Sequence, residues 1–322
     1  MKRLIMLAAI IITVFFICLN DNNQVLFVAA QENSIEEDLL QLPTFSHQGG
    51  FYETQFYLEI STDDSGIIYY TLDGSDPTID SMRYNNPILI QKQYIQITGQ
   101  GYSMQNDGTG QVIDLDPTVP LSMIKSSSFE WKSPSEDIFK ATVVKAIVIS
   151  DDQTSLVATQ TYFVDENIYD KYTFPIISLS TDAKNLFSYE TGINVPGINY
   201  DPFSTETRFN NKTGNYYQEG DLWERDVYFE YFSSDGQLNF KQNAGIRIHG
   251  GLSRNYPIKS YRLYARDDYG QDMFNYRFFE DKELNTFKRI ILRAGGQTYK
   301  YTFMGEAAAQ SLLKPLDLDI QY

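Results

Sequence analysis

The chain has 322 residues, which is long enough for two ordinary domains that each bury a core of their own. Apolar residues make up 42% and aromatic residues 15% of the sequence, a composition that argues against a disordered tail. The net charge of −16 argues against nucleic acid or an anionic membrane surface as the main partner, and the single cysteine, Cys18, excludes a disulfide framework.

Residues 1–30 have the pattern of a signal peptide. Lys2 and Arg3 form a basic start, residues 4–19 form an uncharged apolar run, and Val28-Ala29-Ala30 places small residues before Gln31 for cleavage. The run is shorter than the roughly 18 apolar residues of a membrane-spanning helix, and a retained N-terminal anchor is the alternative. We therefore predict a secreted or cell-surface protein with a polar spacer at 31–41.

Residues 42–166 contain short segments in which apolar and polar residues alternate, separated by Gly, Asn and Asp. This pattern is typical of strands in an antiparallel, immunoglobulin-like sandwich. The predicted strands cover residues 56–60, 68–72, 88–90, 94–97, 141–149 and 159–164. A polar stretch at 99–136 is too long for a hairpin loop and is predicted to be an insertion.

The most specific sequence in this half is IYYTLDGSDPT at residues 68–78, in which a strand runs into an Asp-Gly turn. Together with GGFY at 49–52 and the strand at 141–146, it resembles the C-terminal domain of chitobiase-type hexosaminidases. The resemblance implies an accessory module without catalysis, with cell-wall polysaccharide as a conceivable partner. Asp73 and Asp76 indicate either a calcium site or carboxylates that accept from nearby backbone N–H groups.

A second domain is predicted for residues 172–322. Its predicted strands are 173–180, 226–232, 238–241, 244–249 and 260–266. A further strand at 287–293 and a helix at 302–313 are implied by the family resemblance given below. Residues 241–293 hold eleven Lys and Arg against six Asp and Glu, in a chain that is otherwise acidic. This basic segment indicates either a site for a small anion or a set of solvated strand faces.

The turn between the predicted strands 244–249 and 260–266 combines glycines with basic residues. Paired glycines let the backbone approach a ligand closely, and N–H groups in such a turn can bind phosphate oxygens. We predict a phosphate or nucleotide site here, with Lys259 as the principal cation; a solvent-facing strand lysine is the alternative. The candidate residues are Gly250, Gly251, Ser253, Arg254, Lys259 and Arg262.

The order of residues in this region resembles the signature of the CotH family, spore-coat and surface proteins with an atypical protein-kinase-like fold. The resemblance rests on AGIRIHGG at 244–251, on Ser253-Arg254, Lys259-Ser260 and YRL at 261–263, and on YTFPIISL at 172–179. It implies that residues 172–322 are the N-terminal portion of an incomplete α+β kinase-like domain. ATP and Mg are the implied cofactors, and surface or coat proteins are the implied phosphate acceptors.

Phosphate transfer also needs a metal-binding carboxylate and an acidic group that orients the hydroxyl. The resemblance places these aspartates beyond the residues given, and the chain departs from the family pattern at Gly295-Gly296-Gln297 and at Met304-Gly305-Glu306. No catalytic residue is therefore assigned. The chain is expected to be an exported, incomplete and inactive CotH-type kinase; the alternative is a non-catalytic surface or spore-coat protein that serves adhesion or assembly.

The two histidines, His47 and His249, complete the list of candidate side chains. With no cysteine partner in the mature chain, they do not predict a zinc site. His249 is predicted to share a strand face with Arg247. It lies either beside a bound phosphate or in an ordinary strand pair.

Overall fold

The computed structural model describes residues 40–95, 136–201, 204, 213–256, 258–280, 282–295 and 305–313, and the backbone of four short strands at 17–19, 25–27, 102–103 and 124–125. The chain divides into two compact units, Met1–Leu39 and Leu40–Tyr322. In the first unit, β1 (Ile17–Leu19) pairs antiparallel with β2 (Val25–Phe27). The predicted signal peptide and spacer otherwise lie almost entirely outside the described residues. No helix in the described part of the chain is long and apolar enough to cross a membrane.

The first half of the second unit is built from short strands. They are β3 (Thr44–Phe45), β4 (Gly50–Tyr52), β5 (Phe56–Leu58), β6 (Ile60–Ser61), β7 (Ile67–Thr71), β8 (Met82–Arg83), β9 (Ile88–Ile90), β10 (Gln93–Ile95), β11 (Tyr102–Ser103), β12 (Ile124–Lys125), β13 (Ile138–Lys140), β14 (Thr142–Ser150), β15 (Gln153–Thr154) and β16 (Ala158–Val164). The main sheet has the order β4-β16-β14-β7-β8, with β15 paired to β14. The pair β16–β4 is parallel, which differs from the antiparallel arrangement expected throughout. Apart from β11 and β12, which pair in parallel, the predicted insertion lies outside the described residues.

The sandwich core forms on one face of this main sheet. Val144, Ala146 and Val148 of β14 point to that face, where Tyr162 and Val164 of β16 join them. Because side chains alternate along a strand, the residues between them point the other way. These residues are buried too, and they include Lys145, Ile147, Thr159 and Thr161. The sheet is therefore covered on both faces.

The second half contains a five-stranded antiparallel sheet. The helices and strands of this half are α1 (Ile168–Lys171), β17 (Ile176–Ser180), α2 (Ala183–Phe187), β18 (Arg225–Phe232), β19 (Leu238–His249), β20 (Ser260–Tyr264), β21 (Phe274–Asn275), β22 (Thr286–Phe287), β23 (Arg289–Leu292) and α3 (Gly305–Leu313). The sheet order is β17-β18-β19-β20-β23. The strands predicted at 238–241 and 244–249 are one strand, because Gln242 and Asn243 keep their register with β18.

The described residues are mostly strand with few helices, as expected for an all-β sandwich. This composition does not confirm the α+β kinase-like domain predicted for the second half. The sheet nevertheless has one apolar face, built on Val227, Phe229, Ile246, Ile248 and Leu263, which carries the core of this half.

The opposite face of the five-stranded sheet, here called the polar face, carries hydroxyl and charged groups. The register places Ser178 opposite Glu230 and Ser180 opposite Tyr228, and Arg247 lies opposite Arg262. Side chains of directly paired residues point to the same face of a sheet. The polar face comprises Ser178, Ser180, Tyr228, Glu230, Arg247, His249, Arg262 and Tyr264.

The sandwich covers the β17–β18 end of the polar face. The Thr161 hydroxyl of β16 lies 3.0 Å from the Ser178 hydroxyl and donates to Glu230 Oε2. Beside these polar contacts, Phe163 packs edge-to-face on Phe232 with ring centroids 5.3 Å apart. Phe51 and Ile168 complete this buried cluster. The contact joins the two halves through both hydrogen bonds and apolar burial.

Glu230 is a carboxyl group buried in this contact. It is fully buried, and within the described residues its Oε1 atom has no hydrogen-bond partner. Burial raises the pKa of Glu230 above its ordinary value, against a smaller opposing effect of the Thr161 hydrogen bond. The nearby Lys145 is already paired with Asp76, at 2.8 Å. Burial therefore stabilises the protonated form of Glu230 relative to that of an exposed glutamate.

Replacing Glu230 by Gln should remove a pH dependence from the stability. Since the folded pKa is raised, the native chain holds the proton more tightly than the unfolded chain, so stability falls as pH rises from the unfolded pKa through the folded one. We expect Glu230→Gln to gain unfolding free energy relative to wild type as pH rises through that window. Denaturant unfolding at a series of pH values measures this. Glu283→Gln, at an exposed carboxylate, is the control, and parallel curves for wild type and Glu230→Gln would contradict the assignment.

Replacing Phe232 by Ala should destabilise the whole second unit. Phe232 is fully buried between the two halves, and truncating such a side chain typically costs about 3–5 kcal/mol. Phe174 is 66% exposed, so Phe174→Ala should change the unfolding free energy by no more than about 0.5 kcal/mol. Denaturant unfolding followed by circular dichroism compares the two. Equal effects would show that Phe232 does not hold the halves together.

Candidate anion-binding site

A cavity of about 320 Å³ lies at the β19–β20 end of the polar face, away from the end that the sandwich covers. It is lined by Gln218, Glu219, Gly220, Arg247, Ile248, His249, Gly250, Arg254, Arg262 and Tyr264. Three arginines and a histidine line the cavity together with one carboxylate, that of Glu219. The register of β19 with β20 brings these side chains together, since both strands contribute to the same face.

Glu224 fixes the arginines at one wall of the cavity. Its buried carboxylate accepts from Arg247 Nε at 2.8 Å and from Arg266 Nε at 2.8 Å. Both guanidinium groups also lie against the ring of Tyr264, at 4.6 and 5.0 Å from its centroid. Arg247 has a second partner in the exposed Asp221. These two arginines are therefore held and neutralised by the protein itself.

Arg254 closes the glycine turn. Its Nε donates to the Gly250 carbonyl at 2.6 Å, and one terminal nitrogen donates to the carbonyls of Tyr216 and Gln218 at 3.3 and 3.2 Å. The other terminal nitrogen lies 2.9 Å from the exposed carboxylate of Glu219. Arg254 thus borders the cavity, but most of its donors tie the turn to residues 216–219.

Gly250 occupies a backbone conformation that favours glycine, with φ of +117°. A Cβ atom at this position would lie 2.5 Å from the Ser253 Oγ atom. Ser253 therefore packs against the turn, and it falls outside the cavity lining together with Gly251. Of the six predicted site residues, the structure brings three to the cavity: Gly250, Arg254 and Arg262.

Lys259 is not where the sequence analysis expected it. Its Nζ atom donates to the Tyr256 carbonyl at 2.9 Å and lies 4.8 Å above the centre of the Tyr216 ring. Burial lowers the pKa of Lys259 to about 7. The four residues Leu252–Asn255 form a 3₁₀ turn ahead of Tyr256, so the lysine reaches a backbone carbonyl outside the cavity lining. It is neither a cavity cation nor a freely solvated strand lysine.

The hydrogen-bonded pair of Arg262 and His249 is the main polar feature of the cavity that is available to a ligand. An Arg262 terminal nitrogen lies 3.0 Å from His249 Nδ1. Arginine stays protonated and only donates, so Nδ1 accepts and the hydrogen of the neutral ring is on Nε2. Burial lowers the pKa of His249, and the charges of Arg262, Arg293 and Arg254 lower it further. Within the described residues, Arg262 has no carboxylate within ion-pairing distance.

Two residues important to the cavity were not predicted from the sequence: Tyr264, which lines it, and Glu224, which holds the lining residue Arg247. The role of Arg247 was left open. The alternation along β19 and β20 puts Arg247 and Tyr264 on the same face as His249 and Arg262 and could have identified both. No such pattern points to Glu224, because it precedes β18 and follows the turn at 221–223.

The described residues include no group of three or more His, Cys, Asp or Glu side chains that could hold a metal ion. At the Asp-Gly turn of the sandwich, Asp73 Oδ1 accepts from the Ser75 backbone N–H at 3.0 Å, and Asp76 pairs with Lys145. The local alternative therefore describes the contact of Asp73, whereas Asp76 binds a lysine side chain of β14 and not a nearby backbone N–H group.

Comparison with known proteins bears on the first half. The family model described as "Fn3 associated" matches residues 58–162, which span β5 to β16. This match supports a fibronectin-III-like associated β-sandwich there. It covers less than half of the chain and does not reach the cavity, so the resemblance of the second half to CotH kinases stays a prediction. No curated protein and no solved structure matches the chain.

Replacing Glu224 by Gln should destabilise the cavity wall. The change leaves Arg247 and Arg266 without their buried carboxylate, and removing one partner of a buried ion pair costs about 3 kcal/mol or more. Asp221, whose side chain is 84% exposed, contacts the same arginines, so Asp221→Asn should cost less than about 1 kcal/mol. Thermal and denaturant unfolding of the two variants measure the difference, and equal costs would contradict the role given to Glu224.

Proposed function

We propose that this chain is an exported CotH-type surface protein whose second half binds the phosphate groups of ATP in the arginine- and histidine-lined cavity. The observation that carries the proposal is Arg262, a cation that lines the cavity without a carboxylate partner in the described residues. Phosphate oxygens are strong acceptors for a guanidinium group. Transfer of phosphate to surface or coat proteins is the activity that the family resemblance implies.

The cavity residues fit phosphate by chemistry and by position. Arg262 and the Nε2–H of His249 supply donors from adjacent strands, and Gly250 borders the same cavity. Glu219 is exposed at the rim and contacts Arg254. An entering phosphate would compete with that carboxylate for Arg254, which would add a second cation beside Arg262.

The same residues do not fit Mg. The carboxylates nearest the cavity, Glu219, Asp221 and Glu224, are each paired with an arginine. Nor do the described residues offer a group of three or more acidic, His or Cys side chains for a divalent ion. Phosphate binding is the part of the kinase function that this cavity supports.

A non-catalytic role in surface adhesion or coat assembly is the second candidate. It is favoured by the contact between the halves, where Thr161, Phe163 and Phe232 join the sandwich to the five-stranded sheet. In this reading the resemblance to a chitobiase-type accessory domain implies a partner in the cell wall. A folded chain that does not bind ATP would favour this second candidate.

Binding of Mg-ATP to the chain without residues 1–30 tests the first candidate. We expect Arg262→Gln to weaken binding roughly tenfold or more, because one charge-assisted hydrogen bond contributes about 1.5–3 kcal/mol. Lys259→Met should stay within about threefold of wild type, since Lys259 lies outside the cavity. Isothermal titration measures both, with Arg277→Gln at an exposed arginine as the control. No binding to folded wild type, or equal binding by wild type and Arg262→Gln, would overturn the proposal.

A further inference from the structure

We propose that the cavity selects doubly charged oxyanions of the phosphoryl type, and that binding such an anion places a proton on His249. This inference rests on the site of the proposed function and adds its ligand class and its regulation by pH. Arg262 and His249 Nδ1 are joined by a hydrogen bond of 3.0 Å.

That hydrogen bond exists only while His249 is neutral. A protonated imidazole carries hydrogens on both nitrogens and cannot accept, so Arg262 would have to turn away from Nδ1. Both side chains line the cavity, so the released guanidinium and the imidazolium would both be available to a ligand there. One proton thus converts an internally satisfied pair into two cationic donors.

Burial and the charges around His249 oppose this protonation when no anion is bound. Burial lowers the pKa of His249 below its ordinary value, and the charges of Arg262 of β20, Arg293 after β23 and Arg254 of the glycine turn lower it further. On its own strand, Arg247 is already neutralised by Glu224, and Glu219 at the rim is paired with Arg254. An added negative charge in the cavity reverses this balance.

The amount of negative charge that a ligand brings into the cavity determines which class of anion binds. A monoanion such as chloride or a carboxylate would compensate Arg262 alone and would leave an imidazolium unbalanced. A phosphate ester carries close to two negative charges at neutral pH and presents three acceptor oxygens, which matches Arg262 together with protonated His249. Binding of a dianion is therefore expected to strengthen as pH falls, by up to about tenfold per pH unit between the free and bound pKa of His249.

Sulfate is the probe, because it keeps two negative charges throughout the neutral range. Any proton taken up on binding is therefore bound by the protein and not by the anion. Calorimetric titration in two buffers of different ionisation enthalpy counts the protons taken up per bound sulfate. We expect an uptake that approaches one proton at a pH above the pKa of free His249. The variant His249→Gln keeps an N–H donor and should bind sulfate with no proton uptake and little pH dependence. The other histidine, His47, lies in the sandwich on Phe56, and His47→Gln should behave as wild type.

The outcomes separate this inference from the proposed function. Proton uptake that disappears in His249→Gln, with chloride and acetate binding at least tenfold more weakly than sulfate, supports the inference. Sulfate binding without proton uptake, uptake that persists in His249→Gln, or no sulfate binding would each overturn it. Titration of Mg-ATP against wild type and Arg262→Gln judges the proposed function independently, since ATP binding without proton uptake leaves that function standing.

Discussion

The second half depends on the register between β19 and β20. In that register Arg247 lies opposite Arg262 and His249 lies opposite Ser260, so four basic or polar side chains share one face at neighbouring positions. A shift of one residue would send these groups into the apolar core and bring Ile246, Ile248 and Leu263 to the surface. The burial of those three residues fixes the register, and the register fixes the cavity.

The two ends of the polar face have different surroundings. At the β17–β18 end, hydroxyl groups and the Glu230 carboxyl meet the sandwich, and the aromatic contact of Phe163 with Phe232 seals the edge. At the β19–β20 end the same face is open and basic. The sandwich therefore covers the end of the face that has apolar neighbours, and the cavity lies at the other end.

Much of the fold was predictable because strand alternation is a local property. The segments around residues 68–72, 141–149, 159–164 and 226–232 carry it plainly, and strands form there. The parallel pairing of β4 with β16 was not predictable, since it joins segments more than a hundred residues apart. The union of two predicted strands into β19 was hidden by Gln242 and Asn243, whose polarity resembles that of a turn.

Several residues of the site could be predicted from the sequence, but their arrangement in space could not. Gly250, Arg254 and Arg262 were identified from the glycine turn and its basic flank, and all three border the cavity. Lys259, the predicted principal cation, lies outside the cavity lining, where its amine contacts the Tyr256 carbonyl and the ring of Tyr216. Glu224 neutralises Arg247 and Arg266. Nothing in the spacing of the sequence connects Glu224 to the glycine turn.

The most direct test of this account is the ring ¹⁵N spectrum of His249 in the unliganded chain, which contains only one other histidine. The hydrogen bond from Arg262 requires a neutral ring at mildly alkaline pH, with the hydrogen on Nε2 and an unprotonated, accepting Nδ1. Chemical shifts typical of that tautomer, lost in Arg262→Gln, would establish the pair on which the cavity depends. A ring protonated on Nδ1, or one whose shifts do not respond to the loss of Arg262, would contradict the account.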